Sequence, residues 1–244
     1  MSNQPLRLAV WSGPRNISTA LMRSWGSRPD TLVVDEPFYA HYLMKVDTDH
    51  PGKDEVITHH ETNVDKVIAS LRAPLPDGKT IFYQKQMNKH ILPGMDMSWT
   101  EHVTNCFLIR EPKEMITSFI KVVSNLSLDE FGLWEQVELF KHLRQSTGKT
   151  PIVVDSKDVL MNPRDVLGKW CEALDIPFMD EMLSWQPGIR DTDGIWAKYW
   201  YDNVVKSTGF APYKPKNEEV PARWLDLLKQ CEALYDELYP HRIH

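Results

Sequence analysis

The feature that most constrains this chain is its opening turn. Leu6–Ser12 (LRLAVWS) is a short apolar run that breaks at once into Ser12-Gly13-Pro14, and residues 17–27 then place Ile17, Leu21 and Ser24 on one helical face, with Gly26 near the end. An apolar strand feeding through a tight turn into a helix is the opening unit of a parallel sheet, because a parallel neighbour is reached only by a crossover. The theme recurs. Thr31–Asp35 and residues 81–84, 106–110 and 151–155 read as further short strands. Between them, residues 63–71, the stretch from Pro112 through Val123, residues 133–143 and residues 162–174 read as helices. Pro112 and the Asn162-Pro163 pair are start signals, since proline in the first helical turn loses nothing by its missing N–H and asparagine caps. A last helix, 221–239, carries Trp224, Leu225, Leu228, Cys231, Leu234, Tyr235 and Leu238 as an apolar stripe. The pattern predicts one α/β domain over 1–244: a three-layer α/β/α, P-loop-like arrangement around a central, mostly parallel sheet. Segment 186–216, with Trp196, Tyr199, Trp200, Tyr201, Phe210 and Tyr213, is too aromatic for a solvated linker and reads as a lid or a strap over the core.

Composition narrows the partners. Apolar residues make up 42%, and 28 Lys+Arg against 34 Asp+Glu leave a net charge of −6. A disordered chain and a general nucleic-acid binder are both disfavoured, while a local basic pocket for a small anion is allowed. Cys106, Cys171 and Cys231 lie far apart among apolar neighbours, with neither a disulfide pattern nor a metal spacing. They read as small buried hydrophobes in a reducing, cytoplasmic compartment. Residues 1–7 are polar with no signal core, and no run approaches the roughly 18 apolar residues of a membrane span, so no membrane partner is expected.

Two segments carry anion chemistry. Ligands of open parallel sheets sit beyond the carboxyl ends of the strands, where the turn Ser12, Gly13, Pro14, Arg15, Asn16, Ile17, Ser18, Thr19 lies. Gly13 allows close approach, the following helix supplies free N–H groups, and Arg15, Ser18 and Thr19 add a cation and two hydroxyls, a set suited to phosphate or sulfate. It is not an ATP-type loop: counted from Gly13, Ser18 stands at the second glycine and Thr19 at the lysine. The same segment also reads as an ordinary corner capped by Ser18 and Thr19. The second segment is R-x-P-x-x-x-x-x-S: Arg110 closes a strand and Ser118 lies two turns into the helix opened by Pro112. An arginine there can grip a phosphate through parallel N–H bonds, or form a surface ion pair with Glu111 or Glu114.

Together these segments resemble the sulfotransferases that use 3′-phosphoadenosine 5′-phosphosulfate (PAPS). Pro14-Arg15-Asn16-Ile17-Ser18-Thr19 is similar to their 5′-phosphosulfate loop, with Ile17 where they carry glycine; Arg110, Pro112 and Ser118 match their 3′-phosphate motif in register; and residues 153–178 look like their strand–acidic–Pro–helix block. WSGPRNISTALM, VVDEPFYAHYL, KQM and YW…STGF resemble a bacterial sulfotransferase-like subfamily. The resemblance implies a sulfotransferase-type fold, PAPS as co-substrate with PAP as product, no metal, and sulfuryl transfer to a hydroxyl or amine of a small-molecule acceptor, with a homodimer allowed. It implies Arg15 as the cation beside the leaving oxygen. Lys85 would match a lysine that contacts the bridging oxygen, while Met87 falls where the cytosolic branch has its histidine base. Glu36 after the second strand is then the first candidate base, followed by His90 and His41; each also reads as a surface or capping residue. Arg190 loosely matches a further segment gripping the 3′-phosphate, without the Lys-Gly that should follow it. Trp99, Trp134, Trp196 and Trp200 read as pocket wall or as core. A small-molecule kinase on the same scaffold and a non-catalytic nucleotide binder are the competing readings. Nothing marks the Schiff-base lysine of a pyridoxal-phosphate aminotransferase.

Overall fold

Five strands form one sheet in which every neighbouring pair is parallel: β1 (Leu6–Ser12), β2 (Thr31–Asp35), β3 (Ile81–Met87), β4 (Thr104–Ile109) and β5 (Ile152–Asp155), in the order β2-β3-β1-β4-β5. The structure is a computed structural model, and it describes residues 4–48, 50–123, 126–215 and 217–244. Residues 1–3 of the polar N-terminal stretch and Lys216, the last residue of the aromatic segment, lie outside them. The register aligns the carboxyl ends: Ser12 pairs with Met87 and Leu108, Asp35 with Lys85, and Ile109 with Asp155.

The connections are α1 (Ser18–Gly26), α2 (Tyr39–Lys45), α3 (Lys53–His59), α4 (Val64–Arg72), α5 (Pro112–Phe119), α6 (Leu133–Thr147), α7 (Ser156–Met161) and α8 (Pro163–Ala173). The short α9 (Ala197–Trp200) and α10 (Asp202–Val205) and the long α11 (Leu225–Leu238) follow. Side-chain alternation along the strands assigns the two faces. Leu8 and Val10 of β1 join Leu21, Met22 and Trp25 of α1 and Val166, Leu167 and Trp170 of α8 in one core, where Trp25 meets Trp170 edge-on at 5.2 Å. Ala9 and Trp11 face the other way, onto Val67 and Leu71 of α4 and Val137, Phe140 and Leu143 of α6. A third cluster seats α11 on α5, and a fourth joins α2, α3 and residues 195–205. Cys106, Cys171 and Cys231 are free and buried. Among the described residues no helix is long and apolar enough to cross a membrane.

Start chemistry behaves as the sequence predicts at two helices: Pro112 opens α5, and the Asn162 side chain accepts from Asp165 N–H at the start of α8. Asn63, expected inside a helix, is instead the cap of α4 and accepts from Lys66 N–H at 3.1 Å. Elsewhere the structure differs. Strand β3 runs three residues past Gln84, because Lys85 through Met87 pair with both β1 and β2 or with β1 alone at the sheet's centre. Arg110 lies just beyond β4. On α11 it is Leu227, not Leu225, that is buried; Leu225 is exposed because the chain makes a single 3-10 turn at Ala222–Trp224 before the helix proper begins. Helices α2 and α3 were not expected; each has seven residues and no side-chain cap, so neither leaves a start signal in the sequence. Within the aromatic segment, Trp196, Ala197 and Tyr201 are buried in the fourth cluster.

Candidate active site

The corner after β1 is held by side chains of its neighbours. Asn16 Nδ2 donates to the Leu108 carbonyl at 3.2 Å, and its Oδ1 accepts from Ile17 N–H at 2.9 Å. Gly13 is required by its surroundings, since a Cβ there would lie 2.9 Å from the Phe131 carbonyl oxygen. The group that approaches it closely is the loop ahead of α6. Ile17 adopts φ −88°, open to any residue, and its side chain packs on the first core, so this turn needs no glycine there. Ser12 is fully buried, with Oγ 3.5 Å from the Gln86 carbonyl, and Ser18 is buried at the start of α1. The first intrahelical bond runs from Leu21 N–H to Ile17, leaving the N–H groups of Ser18, Thr19 and Ala20 at the helix end. Arg15 stands in the left-handed region at φ 58°, a conformation uncommon for a side-chain-bearing residue and frequent at ligand clamps.

The second anion segment meets the first. Arg15 Nε donates to Ser118 Oγ at 3.1 Å, and Arg110 donates to the Arg15 carbonyl at 2.5 Å. Arg110 also donates to Glu114 Oε2 at 2.9 Å, so its ion pair and its contact with the turn are both present. Tyr213 from the C-terminal stretch donates to the other oxygen of Glu114 at 2.7 Å. Burial lowers the Arg15 pKa, and the like charge of Arg110 adds to the effect. A guanidinium has five N–H donors. Arg110 uses three here and Arg15 one, so both keep donors for a further acceptor. Two closely spaced cations with spare donors, beside the start of a helix, suit a polyanion.

A buried charge cluster lies at the ends of β2 and β3. Lys85, 1% exposed, donates to Asp35 Oδ1 at 2.8 Å, Glu36 Oε1 at 2.5 Å and the Tyr201 hydroxyl at 2.7 Å. An ammonium has three protons, and all three are placed. Lys85 therefore holds Glu36 and Asp35 here, rather than presenting a free donor as the resemblance implied. Burial alone would lower its pKa, but the Asp35 and Glu36 carboxylates overcome this and raise it well above the ordinary value. Burial raises the Glu36 pKa, against the pull of Lys85. Glu36 sits at φ 40°, the second strained residue among the candidates. His90, with Nε2 3.9 Å from Glu36 Oε2, stacks on Tyr39 at 5.0 Å, and burial holds its pKa well below the usual imidazole range.

Other candidates are placed apart from this geometry. The Nδ1 of His41 is hydrogen-bonded to the Thr62 carbonyl at 2.8 Å. Arg190 lies beside Gly26 at the far end of α1, near Arg23 and Asp193, so no contact brings it to Arg110 and Ser118. Trp99 packs on Trp11 and Phe38 in the second core, and Trp134 is 57% exposed. Trp196 does wall the cluster: its indole folds back over Gly194, meets Tyr39 edge-on at 4.9 Å and reaches the Tyr201 hydroxyl at 3.3 Å. Trp200 is half-buried beside His50. Sequence reasoning missed Asp35 and Tyr201, which share a 2.7 Å hydrogen bond across 166 positions. The adjacent acids Asp35-Glu36 at a strand end were the available signal for the first; nothing local singles out Tyr201 among its aromatic neighbours. Among the described residues no group of three or more His, Cys, Asp or Glu is placed to hold a metal.

Comparison with known proteins bears on this arrangement. A family model described as a sulfotransferase domain matches residues 6–239. The chain is 36% identical, over 96% of its length, to branched-chain-amino-acid aminotransferase-like protein 2 of Arabidopsis thaliana, and 36% identical over 99% to protein 1 of that name. It spans only about two fifths of the length of these curated relatives (42% and 43%). Among solved structures, a sulfotransferase from Alicyclobacillus acidocaldarius is similar with a TM-score of 0.58 at 14% identity, covering 98% of this chain and 97% of that one. The sulfotransferase domain of the Synechococcus PCC 7002 olefin synthase is similar with a TM-score of 0.55 at 16% identity, covering 94% and 95%. At such identities the likeness is one of fold.

Proposed function

The chain belongs to the sulfotransferase domain family, and from that premise we propose that it transfers a sulfuryl group from PAPS to a hydroxyl or amine of a small-molecule acceptor. The observation that carries the reading is the meeting of the two anion segments, in which Arg15 bonds Ser118 and Arg110 bonds the Arg15 backbone. Residues 103 and 95 positions apart thereby share one anion-binding corner. The donor set fits a nucleotide with phosphates at both ends: Arg15, Ser18, Thr19 and the α1 N–H groups toward the 5′-phosphosulfate, Arg110 and Ser118 toward the 3′-phosphate. Ser12, Gly13, Pro14, Asn16 and Ile17 shape that corner. PAPS supplies an activated sulfuryl group whose transfer leaves charge on the departing phosphate oxygen.

The protein's part is positioning and charge stabilisation, as in phosphoryl transfer. Arg15, held by Ser118 at Nε, presents its remaining N–H donors to the oxygen that gains charge. Glu36 accepts the acceptor's proton; its raised pKa makes it a stronger base than an exposed carboxylate. Lys85 is the positioning residue that holds the Glu36 carboxylate, and Asp35 holds Lys85 in turn. His90 stands beside it, and His41 and Arg190 take no part in this arrangement. The kinase reading is weaker, because no Gly-Lys pair lies in the turn. The test is mass spectrometry of a metabolite extract incubated with protein and PAPS. A product heavier by one SO₃, absent with Arg15→Ala, is expected. No such product, together with stabilisation by Mg-ATP exceeding that by PAP, would contradict the proposal.

A further inference from the structure

Two carboxylates share one ammonium at the ends of β2 and β3, and they are not held alike. Asp35 accepts three hydrogen bonds: from Lys85 at Oδ1 (2.8 Å), and at Oδ2 from the Tyr201 hydroxyl (2.7 Å) and from Gly194 N–H (3.1 Å). Among the described residues the Glu36 carboxylate accepts one, from Lys85 at Oε1. Its other oxygen lies 3.9 Å from His90 Nε2, outside hydrogen-bond range. The Asp35 side chain is 1% exposed and that of Glu36 10%, so Glu36 is the more accessible acid. Tyr201 makes much of the difference. Its oxygen lies 2.7 Å from Lys85 Nζ and 3.3 Å from the Trp196 indole nitrogen. Ammonium and indole can only donate, so the phenol proton is left to point at Asp35. Burial, with the Asp35 charge adding to it, holds the Tyr201 pKa well above the ordinary phenol value, so the hydroxyl stays a neutral donor. One ammonium balances one of the two carboxylates, which leaves a buried cluster one proton short of neutrality. Hydrogen bonds to a charged form favour that form, and here they favour it at Asp35.

We propose that Tyr201 is a positioning residue for the base: with Lys85 and Gly194 N–H it keeps Asp35 as a fixed anion, so that Glu36 is the acid that takes up the acceptor's proton. This rests on the sulfuryl-transfer reading. In that step the acceptor's O–H or N–H proton passes to Glu36, the freed electron pair forms the bond to sulfur, and the electrons of the breaking S–O bond leave with the phosphate of PAP. The proposal brings the aromatic segment into the mechanism, because both donors to Asp35 Oδ2 come from it, 159 and 166 positions away. Several groups face Glu36. Asp35 disfavours its charged form, Lys85 and Lys89 favour it, and burial outweighs them. His90 and Tyr39 are kept uncharged by burial. Tyr201 itself faces Asp35, Lys85 and Glu36. Removing its hydroxyl leaves every charge in place and takes one donor from Asp35. Asp35 then competes for the proton. Whenever it holds the proton its repulsion of Glu36 is gone, so Glu36 ionises at lower pH.

The test uses the full chain and Tyr201→Phe, which keeps the ring that packs in the fourth cluster and removes only the hydroxyl. Carboxyl ¹³C NMR reads which acid takes the proton without any turnover, with the two resonances assigned by Asp35→Asn and Glu36→Gln. In wild type Glu36 is expected to titrate while Asp35 does not move through the same range. In Tyr201→Phe Asp35 is expected to titrate alongside Glu36, whose midpoint falls. The rate of label transfer from PAPS into a metabolite extract is expected to drop about tenfold at its plateau. Its rising limb should begin at lower pH, with PAP affinity by calorimetry unchanged. Should Tyr201→Phe not fold, Asp35→Asn removes the fixed anion directly, and Glu36 is expected to titrate at lower pH there too. Asp35 taking up the proton ahead of Glu36 in wild type would overturn the proposal, as would an unchanged titration in a folded variant. A slower variant that binds PAP more weakly, with its limb unmoved, would also overturn it, because the hydroxyl would then be serving the fold. Wild type that neither binds PAP nor transfers label would instead overturn the sulfuryl-transfer reading, while the carboxyl titration still decides the division between the two acids.

Discussion

Arg15 and Glu36 share a left-handed backbone, at φ 58° and 40°, that costs of order 1–3 kcal/mol for residues other than glycine. Each is held there by neighbours. Arg110 and Leu108 fix the first turn, directly and through Asn16, and the Lys85 carbonyl accepts from Glu36 N–H at 2.9 Å. Strain retained at a proposed cation and a proposed base makes both side chains sensitive to substitution. Arg15→Ala is expected to lower turnover about 100-fold, near 3 kcal/mol of barrier, measured with labelled PAPS at saturation. Arg15→Lys is expected to recover little of it, because lysine has no Nε–H to hold Ser118 while the remaining nitrogens point at the ligand. For Glu36 the sign follows from burial: its pKa is raised, and only the carboxylate accepts a proton. The rate should therefore climb with pH along a limb lying above the ordinary carboxylate range, and Glu36→Gln should remove both the limb and most of the rate. A pH–rate profile unchanged by Glu36→Gln would move the base elsewhere.

At the scale of elements, what could be read in advance follows how local each signal is. Strands β1 and β2 were legible to the residue because each is a short apolar run ended by a polar or turn residue. The α8 start was legible because Asn162-Pro163 combines a cap with a first-turn proline. Its strength can be measured: Asn162→Ala should lose about 1 kcal/mol in denaturant unfolding with PAP binding unchanged. Helices α2 and α3 escaped because they owe their existence to packing in the fourth cluster rather than to caps. The site divides in the same way. Arg110 and Ser118, the proposed 3′-phosphate pair, sit on one strand–helix unit at fixed spacing, a pattern that a sequence carries locally. The Tyr201–Asp35–Lys85 contacts join three distant segments, and no local pattern encodes them. The aromatic segment's anchorage is equally non-local: Arg23 pairs with Asp193 in full burial, and Asp35 accepts from Gly194 N–H at 3.1 Å. Asp193→Asn leaves the Arg23 guanidinium without its counter-charge. It should destabilise the protein by roughly 3–5 kcal/mol in the same unfolding assay, and near-neutral behaviour would show that the segment is held by its aromatic residues alone.

For the whole molecule, the parallel register sets every proposed function along one edge of the sheet. The anion corner follows β1, Arg110 follows β4, Glu36 follows β2, and Lys85 lies on β3 between β1 and β2. A loose transfer reaction requires donor, acceptor and base in line, and the proposed function sets all three along this edge. A net charge of −6 is compatible with a local cationic corner at Arg15 and Arg110. All of this depends on that corner binding both phosphate ends of one adenosine nucleotide. Isothermal calorimetry with PAP examines it most directly. The account predicts one site per chain with micromolar affinity, weakened at least tenfold in Arg110→Ala although the variant stays folded. An absence of heat with the folded wild-type protein, or equal affinity in the variant, would contradict it.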